Sequence, residues 1–355
     1  MFDSSALDTY LTGLCEKKAL PGVSAAILGP NGLEYAFNYG CRDGASLHPV
    51  DNDTLFGIAS MSKSMTALCA CILACEGKLD LNAPVSDFFP EFELAGQPRE
   101  AATVRMLAMH TAGIPPMEPL EWSIAMNSEG RSENDWLHEM KRTAPNNMET
   151  IDEIIDYIAH CGYNTLGAPG EVMSYSNEGY AILSYVIDKA AGMPLEQFMQ
   201  ERIFAPLGMT RSILDNGIDA ARALSGGNIT SLFEIEDGVR TCDDCWSVLP
   251  PFRGCAMVKS TSRDMATIAL CPIWACTKGG RRFPRTQSIC SSDAIIRFPL
   301  KRRCAWGCIS ARKPDTPSAS IPVRSTAYRP RAACCWAKAM ALPFSAIRAT
   351  RTWTS

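Results

Sequence analysis

Phe56-Gly57-Ile58-Ala59-Ser60-Met61-Ser62-Lys63, running on into Ser64-Met65-Thr66-Ala67-Leu68 and ending near Cys75, is the stretch that decides how this chain is read. Residues three apart on a helix share a face about one turn apart, so Ser60 and Lys63 can exchange a proton across a hydrogen bond. A serine hydroxyl needs a neighbour to take its proton, and a partly desolvated lysine can do so. The positive end of a helix dipole would then lie where an oxyanion forms. Residues 64–75 are apolar nearly all round, which predicts a central buried helix under the nucleophile. Standing alone, the S-x-x-K spacing is more often that of a solvated helix face, and it needs support from elsewhere in the chain.

Support comes from Pro169-Gly170-Glu171-Val172-Met173-Ser174-Tyr175-Ser176-Asn177-Glu178-Gly179-Tyr180. Tyr175 and Asn177 flank one residue in a short polar loop ahead of an apolar run, so a phenol and an amide can face one cleft. Tyr175 can then shuttle a proton beside Lys63, and Asn177 can hold Lys63 or a substrate amide. Taken alone, the pair also reads as a half-buried ring and a helix N-cap.

With both elements present, the chain resembles the serine β-lactamase and penicillin-binding-protein superfamily, in the branch of class C β-lactamases, D-alanyl-D-alanine carboxypeptidases and related esterases. Further stretches fit in order: Leu81-Asn82-Ala83-Pro84-Val85 with Phe88-Phe89-Pro90, Thr103 to Pro115 with its His110-Thr111-Ala112-Gly113, Ile203-Phe204-Ala205-Pro206-Leu207-Gly208-Met209, and Ser260-Thr261-Ser262-Arg263-Asp264-Met265. The resemblance runs from about residue 5 to about residue 266. It implies an α/β (α+β) fold of the β-lactamase/transpeptidase type, an antiparallel sheet flanked by helices with a mostly helical subdomain. It also implies Ser60 as nucleophile, Lys63 as base or proton relay, Tyr175 as general base, Asn177 as a substrate-binding positioner, and the Ser60 N–H as half of the oxyanion hole. In that family the His-Thr-x-Gly loop is architectural, so His110 is expected to be structural. Nothing in the spacing favours a Ser–His–Asp triad.

The resemblance implies one more element, a cleft-lining strand bearing Lys-Thr-Gly or His-Thr-Gly, and no such tripeptide follows Asp264. Thr277-Lys278-Gly279-Gly280 scrambles the order and leads into Arg281-Arg282-Phe283-Pro284, which does not read as a strand. Residues 267–355 carry 16 Lys and Arg against only Asp293 and Asp315, with seven of the 16 cysteines, whereas residues 1–266 hold 18 basic and 36 acidic residues. Net charge therefore changes sign between the two parts, and the second shows no sustained period of 2 or 3.6. With each codon's last base beginning the next triplet, Ser320 through Tyr328 permits His-Thr-Gly-Ser-Leu-Tyr-Gly-Ile, the missing motif. The expectation is therefore a hydrolase domain over 5–266, and over 267–355 a frameshift product, non-native or disordered. The rival readings are a noncatalytic or penicillin-binding remnant, and a basic C-terminal extension that binds nucleic acid. Because the resembled fold draws sheet strands and a closing helix from its last part, the chain as written is expected to be impaired, in the limit inactive or aggregating.

Composition fits a globular enzyme: 355 residues with 46% apolar content can build a large core in one or two subdomains. Met1 to Asp8 has acids where an export signal has a basic start and an apolar run, and no span of 18 apolar residues occurs. Nine cysteines before residue 267 suit a reducing compartment, so a cytoplasmic location away from membranes is expected. Cys242-Asp243-Asp244-Cys245 lacks a second pair or nearby histidines and is read as reduced loop cysteines; no metal and no cofactor are expected. The expected partner is a small ester, amide or β-lactam, with no nucleic acid; oligomeric state is not legible.

Periodicity predicts helices over 8–18, 64–75, 151–160 and 179–191, and strands over 23–28 and 33–39 joined at Gly29-Pro30-Asn31-Gly32. Gly254 to Ser260 reads as the next strand of that sheet. Pro116 to Asn147 reads as a variable loop over the cleft.

Overall fold

The computed structural model describes residues 4–269, except 30–31, 46, 128–134, 237–238 and 244–245. The chain divides into two units, residues 1–232 with 242–293, and residues 233–241 with 294–355. The expected boundary at 266 falls inside a described helix, Ser262–Ala269, and all but the first three residues of the segment 267–355 lie outside the described residues. Strands β5 (Leu232–Glu236) and β6 (Val239–Asp243) pair with each other, and every contact below belongs to the first unit.

That unit opens with helix α1 (Ser4–Lys17) and the antiparallel strands β1 (Gly22–Gly29) and β2 (Gly32–Gly40). Alternation puts Tyr35 and Phe37 on one face of β2, where they meet Cys15, Leu7 and Leu11 of α1 and form a small core. The Tyr35 hydroxyl donates to Asp8 Oδ1 at 2.7 Å and fastens the helix to the sheet. A second sheet has three short antiparallel strands, β3 (Phe56–Gly57), β7 (Val258–Ser260) in the middle, and β4 (Ile213–Leu214).

Helix α2 (Ser62–Cys75) is the centre of the fold, with ten of its 14 residues buried, as its all-round apolar sequence requires. Ser60 is not on that helix. It sits in a 3-10 turn, Ala59–Met61, that feeds α2 directly, so the three-residue offset to Lys63 still places both groups together. Between α2 and β4 the regular elements among the described residues are helical, including α3 (Val104–Ala108), α4 (Pro119–Met126), α5 (Asp135–Thr143), α6 (Ile151–His160), α7 (Asn177–Ala191) and α8 (Leu195–Met199). Then follow α9 (Asp219–Ser225), α10 (Arg253–Ala256) and α11 (Ser262–Ala269).

Several expectations need correction. Residues 116–147, read as a loop, contain α4 and α5; Pro119 opens α4, where its missing N–H costs nothing. Gly254 to Ser260 is not one strand but α10 followed by the three residues of β7, and β7 joins β3 and β4, not the β1–β2 pair. Helix α7 starts two residues earlier than expected because Ser176 caps it, its Oγ accepting from the Gly179 N–H at 2.9 Å; Asn177 is therefore the first helical residue and not the cap. Helix α6 falls where its sequence predicts, with Thr150 and Glu153 forming a reciprocal capping box and Ile151, Ile154, Ile155 and Ile158 buried on one face.

Candidate active site

Three elements converge on the amine of Lys63. Its Nζ donates to Ser60 Oγ at 3.3 Å, to Asn177 Oδ1 at 2.8 Å and to the Cys255 carbonyl at 3.2 Å. An ammonium has three N–H donors, and each has an acceptor here. Lys63 is 5% exposed, whereas Ser60 is open to solvent, so a buried amine stands behind an accessible hydroxyl.

Residues 62–66 show why α10 belongs to this site. Ser62 Oγ accepts from the Val258 N–H at 3.1 Å, Lys63 bonds the Cys255 carbonyl, and the Thr66 hydroxyl donates to the Gly254 carbonyl at 2.7 Å. One face of α2 is thus laced to the backbone of residues 254–258. Close approach demands glycine at 254: a Cβ there would lie 2.1 Å from Ser184 Oγ and 3.1 Å from Thr66 Oγ1. The turn is fixed from its other end by the Ile58 N–H, which donates to the Val258 carbonyl at 3.0 Å. Ala59, between them, has a φ of 46°, a left-handed conformation that costs a non-glycine residue about 1 kcal/mol.

Tyr175 enters from the segment before α7. Residues 173–176 lie outside any helix or strand, Ser176 is extended, and exposure alternates, with Met173 and Tyr175 outward and Ser174 and Ser176 buried. His110 holds this segment. Its carbonyl accepts from the Ser174 N–H at 2.8 Å and its Nδ1 accepts from the Ser176 N–H at 3.1 Å, two rungs made possible by a left-handed φ of 57°. The ring stacks on Tyr175 at 4.5 Å and on Tyr180 at 4.9 Å between centroids. Burial, with the Lys63 charge nearby, pushes the imidazole down to about 4, so it is neutral at pH 7 and accepts through Nδ1. Lys63 Nζ lies 4.9 Å from the Tyr175 ring centroid and 5.7 Å from that of Tyr180.

The structure therefore brings Ser60, Lys63, Tyr175 and Asn177 together at one ammonium. Sequence reading missed Ser62, Cys255 and Ser176, which position that group. The signals were present in part: Ser176 precedes a helical run as a cap does, but nothing in the pattern marks a backbone carbonyl such as that of Cys255. Cys242 is exposed and Cys245 lies outside the described residues; among the described residues no group of three or more His, Cys, Asp or Glu side chains could hold a metal. No described helix is long and apolar enough to cross a membrane.

Comparison with known proteins defines the class first. The fold is that of the β-lactamase/transpeptidase type: an octameric penicillin-binding protein homologue from Pyrococcus abyssi superposes with a TM-score of 0.62 at 25% identity, covering 77% of this chain and 56% of that one. A class C beta-lactamase superposes with a TM-score of 0.57 at 22% identity, over 75% and 64% of the two chains. The chain matches the Beta-lactamase family model over residues 7–288, past the end read from the motifs, and belongs to that family. Among curated relatives, penicillin-binding protein 4* of Bacillus subtilis is 30% identical over 210 residues, 59% of this chain and 41% of that protein. A beta-lactamase of Providencia stuartii is 28% identical over 208 residues, 59% of this chain and 46% of the relative. The chain thus spans less than half the length of these relatives.

Proposed function

We propose that this chain is a serine hydrolase acting through an acyl-enzyme on an ester, amide or β-lactam. The observation that carries the reading is the Lys63 amine, hydrogen-bonded at once to Ser60 Oγ and to Asn177 Oδ1. Lys63 first gives up one proton to solvent; Ser60 Oγ then attacks the substrate carbonyl carbon while its proton passes to the amine so freed, and the carbonyl electron pair moves onto oxygen. The Ser60 N–H stabilises that oxyanion. Collapse of the tetrahedral species breaks the bond to the leaving group, which takes a proton through Tyr175, and water then attacks the acyl-enzyme by the same route in reverse. Asn177 orients Lys63 and, when substrate binds, its amide. Names of relatives at 30% and 28% identity support penicillin-like substrates; the choice among β-lactam, ester and D-amino-acid amide is not made by these residues.

Residues 5–266 form the hydrolase domain in this reading, and 267–355 is a frameshift product in place of the strand with the third motif. The impairment falls on turnover, since Ser60, Lys63, Tyr175 and Asn177 all precede the change in composition. Eight free cysteines among the described residues support a reducing, cytoplasmic setting. Labelling of the full-length chain with a fluorescent penicillin and a fluorophosphonate tests the reading: Ser60 becomes labelled, and Ser60→Ala abolishes it. Soluble, folded protein that neither probe labels, or a label that survives Ser60→Ala, overturns it. Resequencing codons 262–272 tests the frameshift separately.

A further inference from the structure

Tyr175 closes a segment that is apolar on its outward side. The N–H groups of Ser174 and Ser176 both turn to His110, one to its carbonyl at 2.8 Å and one to its Nδ1 at 3.1 Å, so Met173 and Tyr175 share the opposite side. Met173 is 51% exposed and Tyr175 44%. Two residues of chain span at most about 7 Å, the length of a small aryl or alkyl group. Val172 and Leu166 are exposed on the same segment, and Val172 Cγ2 lies 3.0 Å from where a Cβ on Gly167 would sit, next to Leu166. The segment is fastened to the turn after His110: the Gly170 N–H donates to the Thr111 carbonyl at 2.7 Å, and a Cβ on Gly113 would lie 3.2 Å from the Gly167 carbonyl. Singly exposed apolar side chains are ordinary on a protein surface, but a run of them on one fixed segment that ends at the site's phenol is not. Residues 163–175 carry one charged side chain, Glu171, and its Oε2 accepts from the Ala168 N–H at 2.9 Å. The segment therefore offers a substrate carboxylate no cation.

We propose that Met173 is a specificity-determining residue that selects substrates whose leaving group is an apolar alcohol or amine over those whose leaving group carries a carboxylate. The inference rests on the reading of Ser60 as nucleophile and of Tyr175 as the group that returns a proton to the leaving group. When the tetrahedral species collapses, the bond from the carbonyl carbon to the leaving oxygen or nitrogen breaks, and its electron pair stays on that atom. The atom takes its proton through Tyr175, so the leaving group departs beside Tyr175, and what extends from it on the outward side meets Met173. An alkyl or aryl group there covers apolar surface, whereas a carboxylate loses water and gains no partner. An unbranched thioether adapts to many apolar shapes, so the discrimination falls on polarity and charge and little on outline.

Two acetate esters test this, those of 4-nitrophenol and of 5-hydroxy-2-nitrobenzoic acid, which share the nitrophenol and differ by one carboxylate. Both leave the same acetyl group on Ser60. Release of the coloured phenolate by excess full-length chain in a single turnover reads acylation alone, whatever the later fate of the acyl-enzyme. The rate remaining in Ser60→Ala is subtracted, and each ester is referred to its hydrolysis by hydroxide. The ratio of the two esters within one variant cancels any change in the reactivity of Ser60 itself. The expected ratio is about tenfold or more in favour of the uncharged leaving group, kept in Met173→Leu and cut by about tenfold in Met173→Lys. A wild-type ratio near one, a wild-type preference for the carboxylate, or a ratio unchanged in Met173→Lys overturns the proposal. The serine-hydrolase reading then still stands if a fluorophosphonate labels wild-type Ser60. If neither the esters nor the fluorophosphonate react at wild-type Ser60, both fall.

Discussion

The Lys63 amine lies closer to Asn177 Oδ1, at 2.8 Å, than to Ser60 Oγ, at 3.3 Å. The amide is therefore the stronger tether, and the serine hydrogen bond is the one free to lengthen when substrate enters. Asn177→Ala leaves a buried ammonium with one acceptor fewer, which costs about 1–3 kcal/mol of stability and lets the amine swing away from Ser60. The expected outcome is a lowered urea midpoint together with a large loss of Ser60 labelling rate. Preserved labelling in a destabilised Asn177→Ala protein contradicts the tether.

Gly254 is the point at which α10 touches α2 and α7. A methyl group there meets Ser184 Oγ, Leu195 Cδ2 and Thr66 Oγ1 at 2.1, 3.0 and 3.1 Å, inside a packed interface. Relief requires α10 to move outward, and that movement carries the Cys255 carbonyl off Lys63. Gly254→Ala should lose about 1–3 kcal/mol, as overpacking does, and lower the rate of Ser60 labelling. Equilibrium denaturation with an unchanged m-value checks the first, and probe kinetics the second.

Much of this arrangement is legible in the sequence because it is local. The S-x-x-K offset survives the change from α-helix to 3-10 turn at Ala59–Met61, since both wind the same way through Ser60 and Lys63. Ile151–His160 is legible because its cap, its first turn and its isoleucine stripe all agree. What was not legible is non-local. The pairing of Phe56 with Ser260 and of Ile213 with Lys259 joins strands of two or three residues, too short for any period to register. The bond from Lys63 to the Cys255 carbonyl spans 192 positions and is made by a backbone atom that every residue carries. Residues 116–147 read as a loop because both helices are short: α4 carries Leu120, Trp122, Ile124, Ala125 and Met126 within eight residues and so lacks a clear polar face, and α5 buries only Leu137.

Arg253 fastens α10 from its other side. Its guanidinium donates to Asp188 Oδ2, its Nε lies 3.2 Å from Glu196 Oε1, and its plane sits 4.2 Å from the Tyr185 ring centroid. Arg253→Met removes the charge while keeping much of the stem, and leaves Asp188 on α7 partly buried without its partner. Removing one member of a fully buried pair costs about 3–5 kcal/mol; at this partly exposed pair about 2 kcal/mol is expected. Arg253→Met combined with Asp188→Leu should recover part of that loss, because no uncompensated carboxylate remains. A double variant less stable than Arg253→Met by the full cost of Asp188→Leu alone excludes the pairing as the cause.

His110 sets the acid side of stability. Its imidazole is held down to about 4 in the folded protein, first by burial and then by Lys63, against an ordinary value of 6.5. Between those two values the unfolded chain binds a proton that the folded chain refuses, so stability falls as pH drops from about 6.5 toward 4. With about 1.36 kcal/mol per unit, and a discount for solvent screening at a ring that is only half-buried, the loss is at most about 2 kcal/mol. Glu121 and Glu178 work in the opposite sense, because carboxyls held above their ordinary range keep protons that the unfolded chain has released, and stability from them declines as pH rises through 4.5 to 7. His110→Asn should therefore flatten the acid side and leave a stability that falls steadily with rising pH. Chemical denaturation at half-unit steps from pH 4 to 7.5 checks both slopes, and an acid-side loss that persists in His110→Asn assigns it to another group.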